Sequence, residues 1–379
     1  MKCIRILVLI LCACFVSAAW SQQPGSKCIN DWSGFHRTNM RRWNPCEKVL
    51  NVHNVGNLTS KWSFGTFDRV VSSPAVANGV VYVGSNYGDV YALNAKTGAP
   101  LWSYTTGFSV YSSPAVANGV VYVGSNPGDV YALNAKTGAL LWSYHTASFV
   151  HSSPAVANGV VYVASQDDNV YALDASTGAL LWSYSTGSLI DSSPAVASGV
   201  VYVGSWDHNV YALNAKTGAL LWSYKTGWLI DSSPAVANGV VYVGSLDNNV
   251  YALNAKTGAP LWSYTTGGEV WSSPAIANGV LYVGSYDDNL YALNAKTGAL
   301  LWSYDTLGPV DSSSAVANGV VYIGSPDNLY ALNAKTGAPL WAYTTNGYVE
   351  SSPAVADGVV YVGSDDGKVY AFGLKKGSK

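Results

Sequence analysis

Eight near-copies of one unit of about 40 residues run from Val71 to the end of this chain. The unit reads SSPAVANGVVYVGS, a short variable stretch, then YALNAKTGALLWSY. Copies begin at Ser72, Ser112, Ser152, Ser192, Ser232, Ser272, Ser312 and Ser351. One loop, after Ser325, is a residue short. So strict a period limits the architecture to a row or a ring of small stacked units.

Each unit holds four strands. In the first, Ser72 to Ala77 leads to Asn78-Gly79, a two-residue hairpin signal. Val80 to Val83 and Val90 to Leu93 are β-branched and aromatic runs. Asn94 to Gly98 turns the chain into Leu101 to Tyr104. Val80 to Val83 has no polar face, so each small sheet must be covered on both sides by its neighbours. Trp102, Trp142, Trp182, Trp222, Trp262, Trp302 and Trp341 mark the fourth strand of seven units, and the eighth lacks that strand. An orphan copy, Lys61-Trp62-Ser63-Phe64, precedes the first unit. Supplying it to the last unit closes a ring and protects a sheet edge. The fold expected is all-β: an eight-bladed β-propeller of four-stranded antiparallel blades, closed by an N-terminal strand.

The rest of the chain divides around this ring. Residues 1–21 read as a signal peptide, with Lys2 and Arg5 before the apolar run Ile6 to Val16 and Ala19-Trp20-Ser21 as cleavage site. A lipid anchor is the alternative, since Leu11-Cys12-Ala13-Cys14 loosely fits a lipidation box. Residues 22–59 form a lead-in, 60–374 the propeller and 375–379 a tail. Export places the protein in the periplasm or outside the cell. Cys28 and Cys46 are the cysteines left after cleavage, and one disulfide between them is expected. The net charge of −2 disfavours nucleic acid as a partner. The apolar run is too short to span a bilayer comfortably, and a monomer is expected.

The turn Ala92-Leu93-Asn94-Ala95-Lys96-Thr97-Gly98-Ala99-Pro100-Leu101-Trp102 resembles the tryptophan-docking motif of the pyrroloquinoline quinone (PQQ) repeat. Asn replaces the motif's Asp in most copies, and Asp174 keeps it. The lead-in, Asp31-Trp32 to Asn44 and then Val52 to Trp62, resembles that of quinoprotein dehydrogenases. The resemblance implies docking roles for Trp62 and the seven tryptophans above. It admits two functions: PQQ- and Ca²⁺-dependent alcohol oxidation, with the quinone on the propeller axis, or a non-catalytic scaffold like that of outer-membrane barrel assembly. Adjacent cysteines, an acid at Val71 and long insertions between blades are all missing. The scaffold is therefore the expectation, with no cofactor, and the PQQ enzyme is the alternative.

Differences among the copies locate a candidate site. Variation is concentrated in the loop between second and third strands and in the link between units. In an up-and-down blade these lie at one end of the disc, and the constant Asn-Gly and NAKTG turns lie at the other. The residue before each Ser-Ser pair should face the axis: Val71, Tyr111, His151, Asp191, Asp231, Trp271, Asp311 and Glu350. From Tyr111 to Glu350 these acids and aromatics suit a protein partner or a small polar ligand. Asp191 and Asp231 are candidates to share a cation, although no metal site is expected. Aspartates crowd the variable loops, and Lys96, Lys136, Lys216, Lys256, Lys296 and Lys335 ring the constant face. Turn propensity alone also accounts for those residue types. The Ser-Ser pairs, present in every unit, are read as structural.

Overall fold

A computed structural model describes residues 30–37 and 40–375. The expected signal segment, its expected cleavage site and Cys28 lie outside the described residues. Cys46 is disulfide-bonded.

The repeats form eight sheets arranged as the blades of a propeller. Blade 1 comprises, from the axis outwards, Ala75–Ala77, Val80–Gly84, Asp89–Asn94 and Pro100–Thr105. Each Asn-Gly hairpin has both residues at positive φ (Asn78 51°, Gly79 75°), the primed turn that matches strand twist. Both faces of each blade are covered by its neighbours. Tyr82, Val90 and Ala92 of blade 1 pack on Val121, Val123 and Leu133 of blade 2.

Blade 8 is closed by the N-terminal strand Leu58–Gly65, antiparallel to Lys368–Leu374, with Trp62 opposite Ala371 and Ser63 opposite Tyr370. Trp62 also packs on Tyr361, their rings 5.9 Å apart. Each docking tryptophan donates its indole N–H across a blade boundary: Trp62 to the Ala95 carbonyl at 3.0 Å, Trp102 to Ala135 at 3.0 Å, Trp182 to Ala215 at 3.0 Å. Trp341 finds the Leu58 carbonyl instead, at 3.1 Å, because the closing strand occupies that position. The ring is thus stitched at its seam by the same bond as elsewhere.

The glycine of each NAKTG turn meets two demands at once. Gly218 has φ 72°, and an added Cβ would lie 2.7 Å from the Trp182 ring. Gly218→Ala is expected to destabilise the fold by about 3 kcal/mol, through left-handed strain and a displaced indole. Urea unfolding of the variant checks this, and an unchanged midpoint would refute it.

Around the axis the Ser-Ser pairs form two hydrogen-bonded belts. Ser73 N–H donates to Ser113 Oγ, and so on blade by blade until Ser352 N–H reaches Ser73 Oγ. The first serines donate to the next blade's serine carbonyl, as Ser72 does to Ser112. Ser152 instead bonds Ala164 within its own blade. The pairs are structural, as their presence in every unit implied.

The lead-in does what the repeat pattern gave no reason to expect. It threads the central channel and pairs with the free edges of the innermost strands. Trp32 bridges Val76, and Ser33, Met40, Arg41 and Arg42 accept N–H groups of Val116, Val236, Ile276 and Val316. Trp43–Asn44 adds a parallel strand to Ala315–Ala317 of blade 7. Innermost strands expose backbone donors and acceptors to the channel, and the lead-in satisfies them. Arg42 is its clamp. It is fully buried, stacked over Phe35 and Trp32, and donates to the carbonyls of Phe35, Ser313, Ser314 and Pro353. Burial draws its pKa down to about 9, and those carbonyls hold the proton at neutral pH. Burial, with Arg42 nearby, holds the adjacent His36 down at about 3, so this imidazole is neutral.

Candidate functional site

The plug converts the channel into a blind cup of about 270 Å³ that opens on the variable face. Phe35 of the lead-in lines it, below a wall made of the second serine of each pair and the residue preceding the pair. All eight axis positions singled out in the sequence line this one cavity: Val71, Tyr111, His151, Asp191, Asp231, Trp271, Asp311 and Glu350. They converge because each directly precedes the Ser-Ser pair that leads into an innermost strand, and eightfold repetition places equivalent residues on one circle.

A second layer orders the wall. Gln166 donates to Asp191 at 2.9 Å and lies 3.1 Å from His151 Nδ1, which is itself 3.2 Å from Asp191. Trp206 Nε1 donates to Asp231 at 3.4 Å. Tyr286 donates its hydroxyl to Asp311 and stacks on Trp271, ring centroids 5.6 Å apart. Tyr111 packs on His151 at 4.8 Å. Arg69 sits at the rim, 3.5 Å from Glu350 and 3.0 Å from Asp365. Gln166, Trp206 and Tyr286 open the variable loops of blades 3, 4 and 6. Their positions differ from copy to copy as much as the axis positions do, and that diversity was the available signal. Beside the cup, Asp311 and Glu350 also border a smaller cavity of about 160 Å³.

The wall concentrates negative charge. Asp231 keeps a partly exposed surface at the open cup, yet protein surrounds it closely enough to remove most of its hydration. That desolvation, then the nearby Asp191, push its pKa up to about 7, against a smaller opposing pull from Trp206. Burial also raises Asp311, opposed by the Tyr286 hydroxyl, and raises Glu350, helped by Asp365 and opposed by Arg69. Between about pH 4 and about pH 7 the folded protein therefore keeps a proton on Asp231 that the unfolded chain has released. Its contribution to stability is present at the acidic end and lost as pH rises through 7. The urea midpoint is expected to rise on acidification from about pH 8 to about pH 5, and Asp231→Asn is expected to flatten that rise. Equal slopes in both proteins would contradict the assignment.

The variable-loop aspartates play a different part. Asp167, Asp207, Asp247 and Asp287 each accept a tyrosine hydroxyl from their own blade and a backbone N–H from the preceding interblade link. They staple the two variable loops together, so turn chemistry accounts for them. Among the described residues, no group of three or more His, Cys, Asp or Glu is arranged to hold a metal ion.

Eight four-stranded blades, a tryptophan-docked turn in each repeat and an axial cup define a PQQ-repeat β-propeller. The beta-propeller family of beta-alanine-activating enzyme matches residues 189–379, and the family of outer membrane protein assembly factor BamB matches residues 52–150 and 127–228. The chain belongs to this PQQ-repeat propeller family. A Pseudomonas putida quinoprotein alcohol dehydrogenase, PedE, is 44% identical over 68 residues, which are 17% of this chain and 11% of that protein. The chain thus aligns with only a small part of that relative. BamB from Moraxella catarrhalis superposes with a TM-score of 0.73 at 22% identity, covering 85% of this chain and 99% of that one. A europium-containing methanol dehydrogenase superposes with a TM-score of 0.81 at 17% identity, covering 91% and 98%. At these identities the superpositions establish the fold alone, and the fold is shared by a non-catalytic assembly factor and by dehydrogenases.

Proposed function

We propose that this chain is an exported, non-catalytic propeller that acts as a monomeric binding scaffold in the cell envelope or outside the cell. Its cup holds a cationic group, such as a lysine or arginine side chain of a protein partner. The observation that carries this reading is the blind cup itself: Asp191, Asp231, Asp311 and Glu350 share it with the rings of Tyr111 and Trp271. Carboxylates and aromatic faces in a partly desolvated site favour a cation. A rigid ring presenting individual loops on one face is a common arrangement for recognition.

The donor chemistry of the cup does not fit a quinone. PQQ carries carboxylates of its own, and the cup's cation, Arg69 at the rim, is already paired with Glu350 and Asp365. No redox step is therefore assigned to these residues.

A tetra-arginine peptide, titrated at about pH 8 and low salt, is the first probe. Binding is expected to weaken at least about tenfold in Asp191→Asn with Asp231→Asn, because two of the four carboxylates go. Lys96→Gln with Lys136→Gln, on the opposite face, should leave it unchanged. The reverse pattern would place the site on the wrong face. The 68-residue similarity to a quinoprotein alcohol dehydrogenase favours a second reading, a PQQ- and Ca²⁺-dependent alcohol dehydrogenase. Dye-linked alcohol oxidation that depends on added PQQ and Ca²⁺ would establish it and overturn the scaffold.

A further inference from the structure

The constant face carries two features that the cup leaves unused. Lys96, Lys136, Lys216, Lys256, Lys296 and Lys335 are all exposed at the NAKTG turns. Arg69, Lys368, His145 and His151 form ion pairs elsewhere, and none of these six lysines takes part in them. The acids in the same turns and the Asn-Gly hairpins are Asp174 and Asp357. A few residues beyond the turns of blades 2, 3, 4 and 6, the outer strand opens with exposed leucine. Leu141, Leu181, Leu221 and Leu301 are each about half exposed, at 50%, 52%, 49% and 49%.

Their exposure has a local cause. The outer strand carries a register shift next to the docking tryptophan, so that Leu180 pairs with Leu173 and Trp182 with Ala172. Leu181 is the extra residue of a bulge and projects from the ladder. The same shift recurs in the other blades that carry the leucine pair. Equivalent positions related by rotation about the axis lie in one plane. The face is therefore a flat ring of lysines with leucines at its rim.

We propose that this face lies on an anionic lipid surface, with the lysines against the headgroups, the rim leucines in the interface and the acidic cup turned away. Three observations favour a bilayer as occupant. Charge is complementary, since the six exposed lysines outnumber the acids at this end of the blades, Asp31, Glu47, Asp174 and Asp357. The contacts are near-identical from blade to blade, which suits a laterally uniform partner, whereas the individual loops lie on the other face. A second copy would bring two lysine rings together, and like charges oppose that contact.

The test is sedimentation of the full-length protein with vesicles of phosphatidylglycerol and phosphatidylcholine, against vesicles of phosphatidylcholine alone, in about 0.1 M salt. Binding at least about tenfold tighter to the anionic vesicles, and released by high salt, is expected. Replacing Lys136, Lys216, Lys256 and Lys296 with Gln should weaken it roughly a hundredfold. Leu141→Ser, Leu181→Ser, Leu221→Ser and Leu301→Ser together should weaken it further, since affinity scales with apolar area entering the interface. All eight positions are exposed, and tetra-arginine binding in the cup reports that each variant is folded. Asp191→Asn with Asp231→Asn should leave vesicle binding intact, so failure of the cup reading and failure of this one are separable. Equal affinity for neutral and anionic vesicles would overturn the proposal. So would full binding by the lysine variant, or no vesicle binding at all, the result expected if a protein covers this face.

Discussion

Removal of residues 22–66 is expected to cut the yield of soluble monomer at least about tenfold, because an open propeller exposes a full-length strand edge. Three losses coincide. Lys368–Leu374 loses its partner along the whole register from Leu58 to Gly65. Trp341 loses the Leu58 carbonyl, and the Ala95 carbonyl loses Trp62. The innermost strands lose the lead-in that pairs with their channel edges. Appending residues 58–66 after Lys379 separates these causes. It offers the antiparallel strand back to blade 8 while the channel stays unplugged. Recovery of most of the soluble monomer is expected, and aggregation equal to that of the plain deletion would show that the plug, not the closing strand, protects the ring.

Arg42→Met should be the most damaging single substitution, costing about 3–5 kcal/mol, the range for removing one partner from a buried charged cluster. The carbonyls of Phe35, Ser313, Ser314 and Pro353 come from three chain segments, and a thioether satisfies none of them. Arg42→Lys should rescue little. A single ammonium lacks the planar fork that reaches several acceptors at once, and it stacks less well between Phe35 and Trp32. Urea unfolding of both variants decides the matter. A midpoint for Arg42→Met within error of the parent would mean that the plug adds nothing to the stability of the ring. Tetra-arginine titration adds a functional readout, since Phe35 lines the cup and shifts if the plug loosens.

Much of this molecule is written plainly in its repeats. The period of about 40 residues, the Asn-Gly hairpins, the orphan Lys61-Trp62-Ser63-Phe64 and the missing fourth strand of the last unit together determined the eight blades and their closure. Comparison of copies was enough to bring Val71, Tyr111, His151, Asp191, Asp231, Trp271, Asp311 and Glu350 to one mouth. In a closed ring, equal positions in sequence become equal positions in space. Periodicity is local and redundant, and eight repetitions average out the ambiguity of any one copy.

What occurs once could not be read in that way. The lead-in has no copy to compare with, and its conformation depends on edges that exist only after the ring has closed. Trp32, Phe35 and Arg42 therefore gave no sign of a plug, and the channel could not be known to be blind. The raised pKa of Asp231 likewise needs the enclosure of the assembled cup and the placement of Asp191 beside it. Gln166, Trp206 and Tyr286 became wall supports only when neighbouring blades fixed their distance from the axial acids. The exposed leucines depend on a bulge whose register no propensity reports. The sequence by itself settled which elements form and how they repeat. Tertiary structure decided desolvation, single-copy contacts and the meeting of residues from different blades, because each of those is a property of enclosure in space and not of order along the chain.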